Sequence, residues 1–244
     1  FTFSCNAKGK DKAKHVVFIG LDGWGAYSLP KADMPNVKKL MEDGSYTLKK
    51  RSALPSSSAI NWASMFMGAG PELHGYTEWG SKTPELPSRV LNKNGIFPTV
   101  FQLLRDARPE AEIGCLYEWE GIKYLVDTLS LNYHYHVADC NKTPKELGNM
   151  SSSYIKEKHP ALVAICFDGP DHTGHTEGHD TPAYYEKLKE LDSYVGQIVQ
   201  AVKDAGMLDD TIFILTSDHG GIDKGHGGKT MQEMETAFII SGKN

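Results

Sequence analysis

Three runs of apolar residues, each followed closely by residues that can bind metal ions, constrain the fold of this chain most strongly. They lie at residues 15–21 (HVVFIGL), 161–167 (ALVAICF) and 211–216 (TIFILT). A continuous apolar run of this length is typical of a parallel strand that is buried on both faces. Such strands need helices on both sides of their sheet. The runs therefore predict an α/β protein with a buried, mostly parallel sheet.

Segments with helical spacing lie between these strands. Helices are predicted at residues 34–42, 59–67, 99–107, 144–157 and 181–205, and further strands at residues 46–54, 112–117, 131–137 and 236–241. Residues 68–98 are rich in Gly, Pro and Ser, which predicts a long functional loop. The alternation of strands and helices predicts a three-layer α/β/α sandwich with a mostly parallel central sheet.

Length and charge limit the classes of protein to consider. The chain has 244 residues and a formal net charge of −5, and we expect residues 15–244 to form a single catalytic domain. The negative charge argues against binding to a nucleic-acid duplex, which needs a basic stripe, but bound metal ions could still attract a nucleotide. No apolar run approaches the roughly 20 residues of a membrane span. The sequence does not indicate the oligomeric state.

The N-terminus suggests processing. The chain begins with Phe1 instead of Met, and we predict that residues 1–14 are a processed N-terminal linker. Residues 1–5 could end a signal peptide, and the small residue before Cys5 fits a lipoprotein cleavage site with a lipid anchor at that cysteine. The predicted localisation is therefore periplasmic, secreted or lipid-anchored, and an ordinary ragged terminus is the alternative. Cys115 and Cys166 lie in apolar runs and are expected to be buried thiols.

Carboxylate and imidazole side chains follow each of the three apolar runs. Because the carboxyl ends of parallel strands meet at one edge of a sheet, we expect these side chains to converge there. Aspartate and histidine together are ligands that zinc favours, and two such ions beside a hydroxyl suit displacement at phosphorus. The candidate metal ligands and nucleophile are Asp22, Ser58, Asp171, His175, Asp218, His219 and His226.

The candidate nucleophile lies in a run of three serines before a predicted helix. A metal ion could activate such a hydroxyl, and the helix N-terminus would favour a phosphate group. Serine is also a common N-cap, so the local sequence does not choose Ser58 over Ser56 and Ser57. Asn61, on the same helix face as Ser58, could donate a hydrogen bond to a phosphoryl oxygen, although a surface amide is equally consistent with its position.

Other histidines and aromatic residues are open to more than one interpretation. His172 and His179 flank the Asp171–His175 pair, and we expect both to be solvated loop residues. Four aromatic residues could form a wall that stacks on a substrate, although core packing explains them equally well. These are Trp24, Tyr76, Trp79 and Trp119.

Taken together, these segments resemble the alkaline phosphatase superfamily, and most closely its type I phosphodiesterase/nucleotide pyrophosphatase branch. The resemblance is carried by VVFIGLDG, PSSSAINWASMFMGAGPELHGY, FDGPDHTGH and LTSDHGG, in this order. It implies an alkaline-phosphatase-like fold that binds two divalent metal ions, expected to be zinc. It also implies hydrolysis of a small phosphate ester or nucleotide.

The resemblance further implies a role for each candidate residue. One zinc ion would be held by Asp171, His175 and His226. The other would be held by Asp22, Asp218 and His219. Ser58 would lie beside the ions and form a covalent phospho-enzyme, and the amide of Asn61 would help hold a phosphoryl oxygen.

The sequence departs from the branch in ways that keep alternatives open. Ser58 stands where the phosphodiesterase branch usually has Thr, whereas phosphomonoesterases often use Ser. His226 follows His219 by only seven positions, where nucleotide pyrophosphatases insert a long segment. Relatives usually continue beyond the last predicted strand, so the domain could be truncated at its C-terminus. The alternatives are a phosphomonoesterase with a cationic clamp from Arg89, Lys123 or Lys224, a phosphonate hydrolase, and a non-catalytic zinc-holding binding protein.

Overall fold

The computed structural model of the protein describes residues 12–138 and 144–243. The predictions for Cys5, and for most of the N-terminal linker, lie outside the described residues. Cys115 and Cys166 are free and buried, which confirms their predicted state. No helix in the described ranges is long and apolar enough to cross a membrane.

The centre of the described structure is one seven-stranded sheet with the order β2-β7-β6-β1-β5-β3-β4. Its strands are β1 (His15–Leu21), β2 (Gly44–Arg51), β3 (Ile113–Tyr117), β4 (Tyr133–His136), β5 (Leu162–Phe167), β6 (Thr211–Thr216) and β7 (Glu235–Gly242). β7 is antiparallel to β2 and β6, and the other neighbours are parallel. The prediction of a mostly parallel sheet is therefore confirmed.

Helices cover both faces of this sheet. They are α1 (Pro35–Glu42), α2 (Ser58–Met67), α3 (Pro71–His74), α4 (Val100–Ala107), α5 (Pro144–Lys158), α6 (Gly169–Glu177), α7 (Pro182–Asp204) and α8 (Met231–Met234). Alternate residues of β1 point to opposite faces: Val17 and Ile19 belong to the apolar core under α1, α5 and α7, while Phe18 packs against the core under α2 and α4. The three-layer α/β/α prediction is confirmed.

The topology positions the candidate site. β1, β5 and β6 lie side by side and run in the same direction, so their carboxyl ends form one edge of the sheet. Asp22 directly follows β1, Asp168 directly follows β5, and Asp218 lies two residues beyond β6. β2 ends at the same edge, and residues 52–57 connect it to the N-terminus of α2.

Candidate active site

The first group of candidate ligands joins the ends of β1 and β6. Nε2 of His219 lies 3.4 Å from Oδ1 of Asp22 and 3.3 Å from Oδ2 of Asp218. Nδ1 of His219 lies 2.8 Å from the carbonyl oxygen of Gly220. Because a carbonyl only accepts hydrogen bonds, this contact places a proton on Nδ1, and in the neutral ring Nε2 then carries a lone pair. That lone pair faces the two carboxylates.

The second group lies on α6 and on the loop after β6. Asp171 and His175 are one helical turn apart, with Nε2 of His175 at 3.2 Å from Oδ2 of Asp171. Nε2 of His226 lies 3.7 Å from Oδ1 of the same aspartate. The Nδ1 atoms of His175 and His226 contact the carbonyl oxygens of Lys224, at 2.9 Å, and Ser56, at 3.0 Å. These contacts again leave Nε2 as the atom that faces the carboxylate.

The two groups are neighbours. The rings of His219 and His226 stack with their centroids 3.8 Å apart. Ligand atoms of Asp171, His219 and His226 lie close enough together to hold one ion, and so do those of Asp22, Asp218 and His219. The structure thus brings together all six Asp and His residues that the sequence analysis selected as candidate metal ligands. His175 is the most exposed member, because its side chain is 46% accessible.

Three buried carboxylate oxygens in this site accept no hydrogen bond from the described residues. They are Oδ1 of Asp22, Oδ1 of Asp171 and Oδ2 of Asp218. The second oxygen of Asp22 accepts a hydrogen bond from Nε1 of Trp62 at 2.8 Å, and that of Asp218 accepts one from the amide of Gly23 at 3.2 Å. Leaving a buried acceptor unpaired costs about 1–3 kcal/mol, and more for a charged group, so these oxygens indicate a cation.

The spacing of the candidate ligands also fits metal binding. Zinc binds nitrogen and oxygen at about 2.0–2.1 Å with tetrahedral geometry, which separates its ligand atoms by about 3.3 Å. The imidazole–carboxylate distances in the site are 3.2 to 3.7 Å. Lone pairs of neutral imidazoles and of carboxylates repel one another at such distances unless a proton or a metal ion lies between them. The residues present therefore fit divalent metal ions.

The electrostatics of the site point the same way. Burial raises the pKa of Asp22 well above its ordinary value, and the nearby carboxylates of Asp218 and Asp171 raise it further. Burial also acts to raise the pKa of Asp171, but the hydrogen bond with His175 and the nearby imidazoles bring it below its ordinary value. The hydrogen bond with Asp171 raises the pKa of His175 to about 9. Protons and metal ions would thus compete for the same buried carboxylates.

The structure distinguishes the three serines. Ser57 is the N-cap of α2, and Ser58 is its first residue. Oγ of Ser58 lies 3.2 Å from Nε2 of His219, whereas the hydroxyl of Ser56 donates to the carbonyl of Gly228 at 2.6 Å. Of these two hydroxyls, that of Ser58 is therefore the one beside the candidate ligands. Its position at a helix N-terminus also favours an anionic group.

Asn61 lies one turn along α2, but its amide contacts backbone. Oδ1 accepts a hydrogen bond from the amide of Ala53 at 2.7 Å, and Nδ2 donates to the carbonyl oxygen of Ser57 at 3.0 Å. The side chain is 4% exposed. Asn61 thus braces the loop that leads into Ser58, and its contact with a phosphoryl oxygen stays a prediction.

Several residues that support the candidate ligands were not predicted. Ser56 holds the loop of His226 through Gly228 and through the amide of Gly227, which lies 3.2 Å from the Ser56 hydroxyl. Tyr184 donates a hydrogen bond to the carbonyl oxygen of Gly23, next to Asp22, at 2.8 Å. These contacts join residues far apart in the sequence, so no local pattern indicates them.

The flank beside β3 and β5 adds two acidic residues that the sequence analysis did not select. Asp168 joins Asp22 and Asp171 in a third group that could hold an ion. The carboxylate of Glu118 accepts a hydrogen bond from the amide of Asp168 at 2.7 Å, and burial raises the pKa of Glu118 to about 8. Glu118 thus braces the N-terminus of α6.

The expectation for His179 was wrong. Its side chain is 4% exposed and lies between Gly174 and Gly221, where an added Cβ would come within 2.3 Å of the ring. Burial lowers its pKa to about 4. The two glycines leave the space that the ring of His179 fills. The sequence around His179 is polar and gives no sign of this packing.

Comparisons with known proteins agree with the geometry. Residues 16–236 match the profile of the type I phosphodiesterase/nucleotide pyrophosphatase family. The chain is 25% identical over 220 residues to bis(5'-adenosyl)-triphosphatase enpp4 of Mus musculus, covering 85% of this chain and 47% of that protein. It is 29% identical over 122 residues to GPI ethanolamine phosphate transferase 3 of Schizosaccharomyces pombe, covering 49% of this chain and 13% of that protein. The chain therefore spans about half the length of the first relative.

Solved structures share the fold. Murine ectonucleotide pyrophosphatase/phosphodiesterase 5 superposes with a TM-score of 0.67 at 19% identity, covering 86% of this chain and 57% of that one. A 2-O GAG sulfatase superposes with a TM-score of 0.73 at 13% identity, covering 95% and 64%. The sequence resemblance is confirmed by the family profile, which covers most of the chain. The chain belongs to the type I phosphodiesterase/nucleotide pyrophosphatase family, within the alkaline phosphatase superfamily.

Proposed function

We propose that the protein is a metal-dependent hydrolase of phosphodiester or pyrophosphate bonds, with Ser58 as its nucleophile. One observation carries the proposal: Oγ of Ser58 lies 3.2 Å from Nε2 of His219, within a cluster of buried carboxylate oxygens that accept no hydrogen bond from the described residues. A binding protein has no use for a hydroxyl at this position. Family membership supports the same activity.

Two divalent ions, in our proposal zinc, would be bound by the two groups of ligands. The first group is Asp171, His175 and His226; the second is Asp22, Asp218 and His219, with the Ser58 hydroxyl beside it. When bound, such ions lower the pKa of a neighbouring hydroxyl and neutralise charge on the phosphoryl oxygens.

The residues of the chain then perform a two-step displacement. Oγ of Ser58 forms a bond to phosphorus as the bond from phosphorus to the leaving oxygen breaks, and that oxygen takes the electron pair. The serine proton passes to solvent. The N-terminus of α2 stabilises negative charge on the transferred group. Water then attacks phosphorus and releases Ser58.

We propose a diester substrate over a monoester, which carries one more negative charge. Of the lysines considered as a cationic clamp, Lys224 donates to the carbonyl oxygen of Thr176 at 2.7 Å, and Lys123 pairs with Glu120. Both are engaged with the protein. Substrates of this kind are consistent with the names of the relatives, which include a bis(5'-adenosyl)-triphosphatase.

Export remains a prediction, because Cys5 lies outside the described residues. Two relatives at 22% identity over 216 residues are venom phosphodiesterases of Crotalus adamanteus, which supports secretion. Mass spectrometry of the cell-derived protein would test the lipid anchor, since a diacylglycerol on Cys5 changes the mass of the N-terminal peptide.

The experiment that tests the proposal compares bis(p-nitrophenyl) phosphate with p-nitrophenyl phosphate, with added zinc and with chelator. We expect the diester to be preferred, and turnover to be lost with chelator and in Ser58→Ala. Ser57→Ala is the matched control, since it removes a neighbouring hydroxyl. Preference for the monoester would assign a phosphomonoesterase. Zinc binding without turnover of either ester would leave the binding-protein alternative.

A further inference from the structure

An apolar cleft lies on one face of the sheet, apart from the candidate ligands. Its volume is about 260 Å³, and it lies between the helices α2 and α4 and the face formed by β1, β2, β5, β6 and β7. The residues that the structure places around it include neither Ser58 nor any candidate metal ligand. We call this space the apolar cleft, and its walls include Phe18, Phe66, Val100, Ala164, Ile214 and Phe238. Walls of this kind fit an apolar ligand.

One cation lies in the wall of the apolar cleft. Lys50 lines the cleft, and its Nζ donates hydrogen bonds to the carbonyl oxygen of Ser217 and, at 3.1 Å, to Oγ1 of Thr236. An ammonium group has three protons, so these two contacts leave one to donate. Burial lowers the pKa of Lys50 to about 8, although the charge of Asp218 acts in the opposite direction. No carboxylate of the described residues forms an ion pair with Lys50.

The combination of this cation with apolar walls limits what the cleft can bind. A partly buried ammonium without an anionic partner is unfavourable, and a ligand anion beside Lys50 would offset that cost. The rest of the ligand must be apolar, because side chains such as Phe18, Ile214 and Phe238 offer it no hydrogen bonds. A water molecule takes about 30 Å³ of liquid volume and a methylene group is of similar size, so the cleft holds roughly eight carbon atoms. An aliphatic chain that ends in a carboxylate meets these conditions.

We propose that the apolar cleft binds a medium-chain fatty acid, with the carboxylate on Lys50 and the chain along the apolar face of the sheet. The chain enters beside Val100, which lines the cleft and is 45% exposed. This site goes beyond the proposed hydrolysis and does not depend on it, since no group of the candidate active site lines the cleft. Binding therefore requires neither metal ions nor Ser58.

The first test separates the charge of the ligand from its apolar chain. Calorimetric titration with octanoate and with 1-octanol should show octanoate binding about tenfold or more tightly, because a hydrogen bond to a charged group adds to its affinity. Lys50→Met keeps a side chain of similar length without the charge, and should abolish this difference. Lys49→Met is the matched control, since Lys49 is the exposed neighbouring cation on β2. Equal wild-type affinity for the two ligands, or unaltered octanoate affinity in Lys50→Met, would overturn the proposal.

The second test locates the chain and uses exposed positions, so it stands even where Lys50→Met does not fold. From hexanoate to octanoate we expect binding to tighten about three- to fourfold for each added methylene group. Val100→Trp should narrow the entrance and weaken octanoate at least fivefold. Leu103→Trp is its control, because Leu103 is 58% exposed on the same helix and does not line the cleft. Equal octanoate affinity in the two tryptophan variants would overturn the site. Unchanged octanoate binding in Ser58→Ala and with chelator would support a site separate from the proposed active site, and loss of binding in either would refute it.

Discussion

The indole of Trp62 is predicted to set the metal affinity of Asp22. Nε1 of Trp62 donates to Oδ2 of Asp22 at 2.8 Å, and both side chains are buried. This hydrogen bond leaves Oδ1 facing Nε2 of His219. Trp62→Phe removes the donor but keeps an aromatic ring stacked on Phe66, whose centroid lies 5.7 Å away. Among the described residues, no other group would then donate a hydrogen bond to the Asp22 side chain.

The size of the effect follows from the kind of contact. Loss of a partner that orients a metal ligand typically costs ten- to hundredfold in metal affinity, or about 1.4–2.7 kcal/mol. A hydrogen bond to a charged group contributes about 1.5–3 kcal/mol, which is the same scale. In Trp62→Phe we therefore expect one of the two zinc ions, the one proposed to be bound by Asp22, to bind about ten- to hundredfold more weakly.

A matched control exists in the same site. Trp24 is fully buried, follows Asp22 by two residues, and its indole nitrogen has no acceptor among the described residues. Trp24→Phe removes the same atoms without breaking a hydrogen bond to a carboxylate. Competition with a chromophoric chelator gives the zinc affinity, and melting with and without zinc gives an independent measure. Equal zinc affinity in the two variants would refute the role of Trp62.

Three further perturbations test the supporting contacts. A Cβ at Gly20 would lie 2.3 Å from the Trp62 ring. Gly20→Ala should therefore lower the free energy of unfolding in urea by about 1–3 kcal/mol and weaken zinc binding. An unaltered zinc affinity would contradict this expectation. Ser56→Ala should free the loop of His226 and lower the affinity for one of the two zinc ions about tenfold. A zinc-binding titration measures this change, with Ser57→Ala as the control variant. Burial lowers the pKa of His74 to about 4, so between pH 6.5 and 4 only the unfolded chain gains this proton. Stability should fall by about 2 kcal/mol over that range, and the fall should be smaller in His74→Gln.

The sequence predicted the sheet well because its central strands are buried on both faces. The predicted bounds of β1 and β6 match the structure, and β5 begins one residue later than expected. Continuous apolar runs carry this information locally. By contrast, residues 169–177 form α6 although they lack an apolar stripe. The polar face of α6 lies against the carboxylates of the candidate site. The helix is therefore stabilised by tertiary contacts, which the spacing of apolar residues in the sequence does not predict.

The candidate ligands could be predicted for a related reason, whereas their supports could not. Ligands follow strand ends, and parallel topology brings strand ends together. Trp62 and Asp22 are 40 positions apart, and Ser56 and Gly228 are 172 apart. Whether such pairs meet depends on how α2 and the loop after β6 pack, which is a tertiary property. The amide of Asn61 illustrates the same limit, since its partners are backbone groups of the preceding loop.

The short interval between His219 and His226 is explained by the path of the loop. Residues Ile222 and Gly225 form an isolated bridge, which turns the chain back on itself. Gly227, with a φ of 102°, adopts a conformation that residues with a side chain rarely reach. These turns bring the two imidazole rings into a stack with their centroids 3.8 Å apart. Seven residues therefore suffice to place a histidine beside Asp171. A long insertion is not needed to place His226 beside Asp171.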